Sequence, residues 1–126
     1  MNLISLGLDL VEVPRILALL EKSGDRFKER VFTSGEISYC DSCAAPAIHY
    51  AARFAAKEAV GKALGTGLAE GVTWRDIEVL RSANGLPSIA LHGGALQKAV
   101  ELGIREMRVS LSHTAQMAAA SVAGVG

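Results

Sequence analysis

Residues 48–64, IHYAARFAAKEAVGKAL, decide how the rest of the chain is read. Alanine and other strong helix formers run through the stretch and Gly65 follows as a natural terminator, which predicts one long helix from Ile48 to Leu64. Within it Phe54, Glu58 and Lys62 fall at i, i+4 and i+8 and share a stripe. Glu58 and Lys62 admit two readings: a simple surface ion pair, worth about 0.3 kcal/mol, or a carboxylate kept in a cationic setting for use. Arg53 and Lys57 add positive charge nearby. Gly65-Thr66-Gly67 either stops the helix or turns backbone N–H groups toward an anion. It is not a P-loop, because the lysine precedes the glycines.

The second decisive residue is Asp9. Met1 to Val13 predicts a strand, with Leu6, Leu8 and Leu10 in a nearly continuous apolar run that Asp9 alone interrupts. A carboxylate on a strand and another on a helix are costly unless something uses them. Mg²⁺ commonly takes one or two protein carboxylates and completes its shell with water and phosphate oxygens. Asp9 and Glu58 therefore suggest a metal-assisted site for a phosphate-bearing substrate.

Outward from these residues the elements follow in order. Pro14 opens a helix that carries Arg15 to Lys22 as far as Ser23-Gly24, and Asp25 to Val31 predicts a second short piece with Asp25 as its cap. Thr33-Ser34-Gly35-Glu36 has the form of a capping box and starts another helix toward Cys40. Thr73 to Leu80 predicts a strand with Val72, Trp74, Ile77 and Val79 in the core. Ser82-Ala83-Asn84-Gly85 marks a turn and Pro87 to Leu91 the returning strand. Gly94 to Leu102 predicts a helix ended by Gly103. Arg105 to Ser112 alternates, with Met107, Val109 and Leu111 on one face and Arg108, Ser110 and Ser112 on the other. Met117 to Val125 closes the chain as a strand of small residues. The order βαααββαββ describes a single α+β domain over residues 1–126, an antiparallel sheet packed by a long central helix.

Composition bounds the function. The chain has 126 residues, half of them hydrophobic, 21% charged, with a formal net charge of zero. No apolar stretch approaches the roughly 20 residues of a membrane span, and no basic segment leads into a hydrophobic one as in a secretory signal. Neutral overall charge gives no reason to expect a nucleic-acid or membrane partner, so attraction to an anionic partner requires a local patch. Arg15, Lys22, Arg26 and Arg30 form such a patch on one quarter of a helix if the helix runs through Gly24. The patch is either a solvated face or a docking surface for an acidic protein. Cys40 and Cys43 read as two incidental thiols and agree with a reducing cytoplasm, although a CxxC spacing also admits a redox pair or half a zinc site. His113, in Ser112-His113-Thr114, is a phosphate ligand, a general base or a turn residue. No GxSxG elbow occurs.

Taken together, these residues resemble holo-acyl-carrier-protein synthase, the small bacterial type of 4′-phosphopantetheinyl transferase. The resemblance spans essentially the whole chain. It is carried by Gly7-Leu8-Asp9-Leu10 with Arg15, Phe32-Thr33 with Glu36, and Arg53-Phe54-Ala55-Ala56-Lys57-Glu58-Ala59 with Lys62-Ala63-Leu64-Gly65-Thr66-Gly67. Asn84-Gly85-Leu86-Pro87 and Ser110-Leu111-Ser112-His113-Thr114 complete it.

The resemblance implies transfer of phosphopantetheine from coenzyme A to a serine of apo-acyl carrier protein, in support of fatty acid biosynthesis. It implies that Asp9 and Glu58 hold Mg²⁺ and that Lys62 neutralises the leaving phosphate, with Glu58, directly or through a metal-bound water, as the candidate for taking the serine proton. It implies that Arg53, Lys57, Lys62, Gly65, Thr66, Gly67, Asn84, Gly85, Pro87, His113 and Thr114 line the coenzyme pocket, and that Arg15, Lys22, Arg26 and Arg30 dock the acidic carrier protein. It also implies a homotrimer with active sites between subunits. Many relatives have a basic residue where this chain has Leu86, so one adenylate or phosphate contact is expected to be missing.

Overall fold

A computed structural model describes all 126 residues, Met1–Gly126. The elements run β1 (Leu3–Glu12), α1 (Val13–Val31), α2 (Ser34–Ser42), α3 (Pro46–Leu64), a 3₁₀ turn (Trp74–Asp76), β2 (Ile77–Arg81), β3 (Pro87–Leu91), α4 (Gly93–Leu102), β4 (Glu106–His113) and β5 (Met117–Val125). The order is the expected βαααββαββ. The strands form two antiparallel sheets rather than one, β1-β5-β4 and β2-β3.

Helix α3 starts at Pro46, which suits a first helical turn because its missing N–H would be unpaired there anyway. It lies across the inner face of the larger sheet and packs against β1 and β5. Its alanines explain the fit: small side chains let Ala51, Ala52, Ala55, Ala56, Ala59 and Ala63 all bury. The close approach is tightest at Gly7, where a Cβ would run into the backbone carbonyl of Ala59. Gly7→Ala is therefore expected to push β1 off α3 and cost about 1–3 kcal/mol of overpacking strain, read as a lower denaturant midpoint with an unchanged slope. A midpoint equal to the parent's would show that the two backbones can part freely.

Strand β1 points in two directions. Gly7 and Val11 face α3 and are buried, while Leu6, Leu8 and Leu10 are each more than 60% exposed. Beside these leucines a shallow groove of about 540 Å³ also takes Arg108, Ser110 and Ser121. Strand β4 alternates as its sequence implied, with Met107 buried and Val109 and Leu111 half-buried.

One expected boundary needs correction. The strand predicted from Thr73 begins only at Ile77, because Asp76 caps Thr73 and winds Trp74–Asp76 into a 3₁₀ turn. Trp74 still reaches the core and lies against Phe54, ring centroids 4.8 Å apart. The break expected in the first helical region falls at Gly24, whose φ of 41° and ψ of −117° are non-helical. The basic stripe is therefore not one straight line. Thr33 and Glu36 form the predicted capping box.

Candidate active site

Register on β5 sets Asp9 opposite Ala120 and delivers its side chain to the edge of α3. There Lys62 Nζ donates to Asp9 Oδ1 at 3.1 Å and to the Leu8 carbonyl at 2.9 Å. Lys62 thus bonds across to the strand rather than along its own helix, and the simple Glu58–Lys62 ion pair is not made. Glu58, one turn earlier, is half-buried. Burial pushes its carboxyl above the usual range, the Asp9 carboxylate pushes further in the same direction, and Lys62 and Arg15 pull it back. Arg15 reaches this corner over the Phe54 ring, its guanidinium 5.6 Å from the centroid.

Asp9, Glu58, Lys62 and Arg15 are therefore gathered from remote parts of the chain. Two hard oxygen donors, one of them close enough to oppose the ionisation of Glu58, suit a small divalent cation, since a bound cation offsets that opposition. No three His, Cys, Asp or Glu residues gather at one point.

Arg53 and Lys57 do not join this site. On a helix, Arg53 is turned about 140° and Lys57 about 100° from Glu58. The expected coenzyme contact of Lys57 is corrected outright, because its side chain is fully buried. Lys57 Nζ lies 2.8 Å from Glu36 Oε1, donates to the Trp74 carbonyl at 3.0 Å, and also donates to the Ile77 carbonyl. Burial lowers the Lys57 pKa and Glu36 opposes that shift. The other Glu36 oxygen accepts from Val79 N–H at 2.8 Å. Lys57 is a structural pin between α3, α2 and β2.

Gly65-Thr66-Gly67 is corrected as an anion cradle of free N–H groups. Gly65 and Gly67 adopt positive φ, 77° and 61°. However, the N–H groups of Thr66 and Gly67 both donate to the Gly61 carbonyl, and Gly65 N–H donates to Lys62 O. The turn is a helix stop whose donors are consumed. Thr66 lines a separate polar groove with Glu70, Gln97 and Lys98.

A second site does form from predicted residues. Arg53, Gly85, Pro87 and His113 converge on one pocket of about 330 Å³. His49, Arg81 and Leu86 line it too. Asn84 stands behind it, its side-chain oxygen accepting from Leu86 N–H at 3.1 Å to hold the β2–β3 turn. Thr114 does the same for the β4–β5 turn, accepting from Met117 N–H at 3.0 Å. Leu86, where a cation was expected to be missing, is open to solvent at this rim. Sequence reading missed His49 and Arg81. The signals were local: His49 precedes Arg53 by one helical turn, and Arg81 directly precedes the Ser82–Gly85 turn. No residue of the carboxylate site lines this basic pocket.

Cys40 is buried and its thiol is pushed up to about 12, chiefly by burial, which suppresses the thiolate that redox or zinc chemistry needs. Cys43 is a free thiol that donates to the Tyr39 carbonyl.

Comparison with known proteins identifies the family. The 4′-phosphopantetheinyl transferase superfamily matches residues 5–120. The holo-[acyl-carrier-protein] synthase of Koribacter versatilis is 51% identical over 116 residues, covering 92% of this chain and 93% of that protein. That of Solibacter usitatus is 45% identical over 120 residues, covering 95% and 96%. Among solved structures, the synthase of Neisseria meningitidis superposes with a TM-score of 0.89 at 34% identity, over 99% of this chain and all of that one. The Helicobacter pylori synthase in complex with coenzyme A superposes at 0.84 with 30% identity, over 95% and 99%. On fold and on kinship along nearly its whole length, the chain belongs to the holo-[acyl-carrier-protein] synthases of the 4′-phosphopantetheinyl transferase superfamily.

Proposed function

We infer that this chain transfers 4′-phosphopantetheine from coenzyme A to a serine of apo-acyl carrier protein, leaving adenosine 3′,5′-bisphosphate. The observation that carries the reading is the meeting of Asp9, Glu58 and Lys62 at the junction of β1 and α3 in a member of this family. Asp9 and Glu58 are the residues that would hold Mg²⁺, and when bound the ion supplies charge neutralisation at the diphosphate oxygens. Glu58, with its raised pKa, is suited to accept the serine proton. Lys62, 54% exposed at the mouth of the site, is placed to meet negative charge building on the leaving phosphate. Arg53, Gly85, Pro87 and His113 would receive the nucleotide end.

The carboxylate corner and the basic pocket share no residue in one subunit. A homotrimer in which the carboxylates of one subunit meet the basic pocket of its neighbour unites them. The exposed leucines Leu6, Leu8 and Leu10 support such an assembly, because an apolar strip of this kind on a sheet face favours burial against another surface. No helix is long and apolar enough to cross a membrane, and we place the reaction in the cytoplasm, where carrier-protein modification serves fatty acid synthesis.

Mass spectrometry tests the function directly. Apo-acyl carrier protein incubated with coenzyme A, Mg²⁺ and this protein should gain one phosphopantetheine, and a chelator should stop the gain. An unchanged carrier mass would favour a non-catalytic binding module.

The docking surface is Arg15, Lys22, Arg26 and Arg30, all exposed on the two segments of α1. Charge reversal of Arg15 and Arg26 together is expected to raise the carrier-protein KM about tenfold or more, and added salt to raise the parent's KM in the same direction. A KM indifferent to both manipulations would move the docking surface elsewhere.

A further inference from the structure

The basic pocket is organised by a residue that none of the preceding functional assignments uses. Tyr39, half-buried on α2, carries the Arg53 guanidinium 4.5 Å and the Arg81 guanidinium 4.9 Å from its ring centroid. Arg81 also donates to the Tyr39 hydroxyl. The His49 ring stands edge-on to the same tyrosine with centroids 5.8 Å apart, and faces His113 at 6.1 Å. Three elements, α2, α3 and the end of β2, are thus tied through one aromatic ring.

The charges have a physical consequence. Each guanidinium is attracted by the negative face of the aromatic ring, so one side chain anchors two cations that would otherwise repel as they approach. Arg53 is only 3% exposed, donates to the His49 carbonyl at 3.3 Å, and leaves its Nε–H without a partner. A buried, incompletely satisfied guanidinium is costly until an anion meets it. Both arginines line the same pocket, together with His49 and His113. Coenzyme A carries two kinds of phosphate: the diphosphate, and a monoester on the ribose 3′ position. The monoester is compact, doubly charged and suited to a fork of arginines.

We propose that Tyr39 is a positioning residue that holds Arg53 and Arg81 together as a fork for the ribose phosphate monoester, and so sets the preference for coenzyme A over 3′-dephospho-coenzyme A. The proposal rests on the reading that the nucleotide end of the coenzyme occupies this pocket. Tyr39 touches no reacting atom, so its effect falls on KM and not on kcat.

Steady-state kinetics of the full chain with saturating apo-acyl carrier protein and Mg²⁺, run with both coenzymes, tests this. The parent should prefer coenzyme A through KM. Tyr39→Leu should raise the KM for coenzyme A about tenfold while leaving kcat and the KM for the dephospho form unchanged. Tyr39→Phe keeps the ring and loses only the bond to Arg81, so about a threefold rise is expected. Turnover of the dephospho substrate reports on folding, and Tyr39→Phe decides the matter if the leucine variant does not fold. Equal KM increases for the two coenzymes, or no change in Tyr39→Phe as the sole folded variant, would overturn the positioning role. Arg53→Gln separates this from the underlying reading. Loss of preference in Arg53→Gln with full preference in Tyr39→Leu leaves the pocket assignment standing and removes Tyr39. Preference retained in Arg53→Gln removes the pocket assignment, and the proposal with it.

Discussion

Asp9→Ala and Glu58→Ala each abolish phosphopantetheine transfer, a fall in kcat of at least about a thousandfold, while unfolding remains a single cooperative transition. The two carboxylates supply the hard donors of the site, and the half-buried Glu58 opposes its own ionisation beside Asp9. Removing either halves the protein charge offered to a divalent ion and weakens its binding. Neither side chain supports the core. Asp9 keeps its backbone place opposite Ala120, and Glu58 is flanked on α3 by buried Lys57 and Ala59 that stay as they are. Stability is therefore expected to change little, and could rise when one of two neighbouring like charges is removed. Stopped turnover with intact thermal unfolding is the expected pair of readings. Activity retained in either variant would take that residue out of the metal site.

Lys57→Met behaves in the opposite way: the fold suffers before the chemistry does. Lys57 and Glu36 are an ion pair with both side chains fully buried. Breaking such a pair from one side costs about 3–5 kcal/mol because the remaining charge is stranded. For a chain of this length that corresponds to a melting temperature lower by roughly 10–20 °C. Glu36 cannot simply be removed as well, since it also accepts from Thr33 N–H and Val79 N–H, each at 2.8 Å. Lys57→Met combined with Glu36→Gln, which leaves no buried charge and keeps an acceptor, should recover part of the loss. Calorimetry of the single and double variants checks both statements. A single variant that melts within a degree or two of the parent would show that the pin carries no weight.

These two results expose what a linear reading of residues 53–62 sees and misses. Glu58 and Lys62 were recognised as a pair by spacing, yet their direct ion pair is replaced by a contact between Lys62 and Asp9, 53 positions away. Sequence proximity alone sets Arg53 and Lys57 as cations near Glu58, which holds only if both side chains stay in solvent, as charged residues usually do. On a helix buried on nearly every side, that assumption fails. The capping box Thr33-x-x-Glu36 was legible because it is local. The second task of Glu36, holding Lys57 and Val79, depends on α2 meeting α3 and β2, and no spacing rule encodes it. Trp74 was placed in the core correctly and in a strand incorrectly, because the Thr73–Asp76 cap competes with strand pairing over a few residues. The glycine turn after the helix was visible, but whether its N–H groups point outward or close the helix was settled by the Gly61 carbonyl.

By itself the chain of residues determined the element order, the long alanine-rich helix and the alternation of β4, and it singled out Asp9, Glu58 and Lys62 as candidates. Periodicity, caps and breakers act within a few residues of one another, so each leaves a local mark. The tertiary structure alone decided which charges meet water and which are buried, that Lys57 is a pin, that the leucines of β1 face outward, and that Tyr39 draws two arginines into one pocket. Those outcomes depend on how helices and sheets turn toward each other. Packing set that rotation, here through backbone approach at Gly7 and Ala59, and two residues adjacent in sequence were sent to opposite fates.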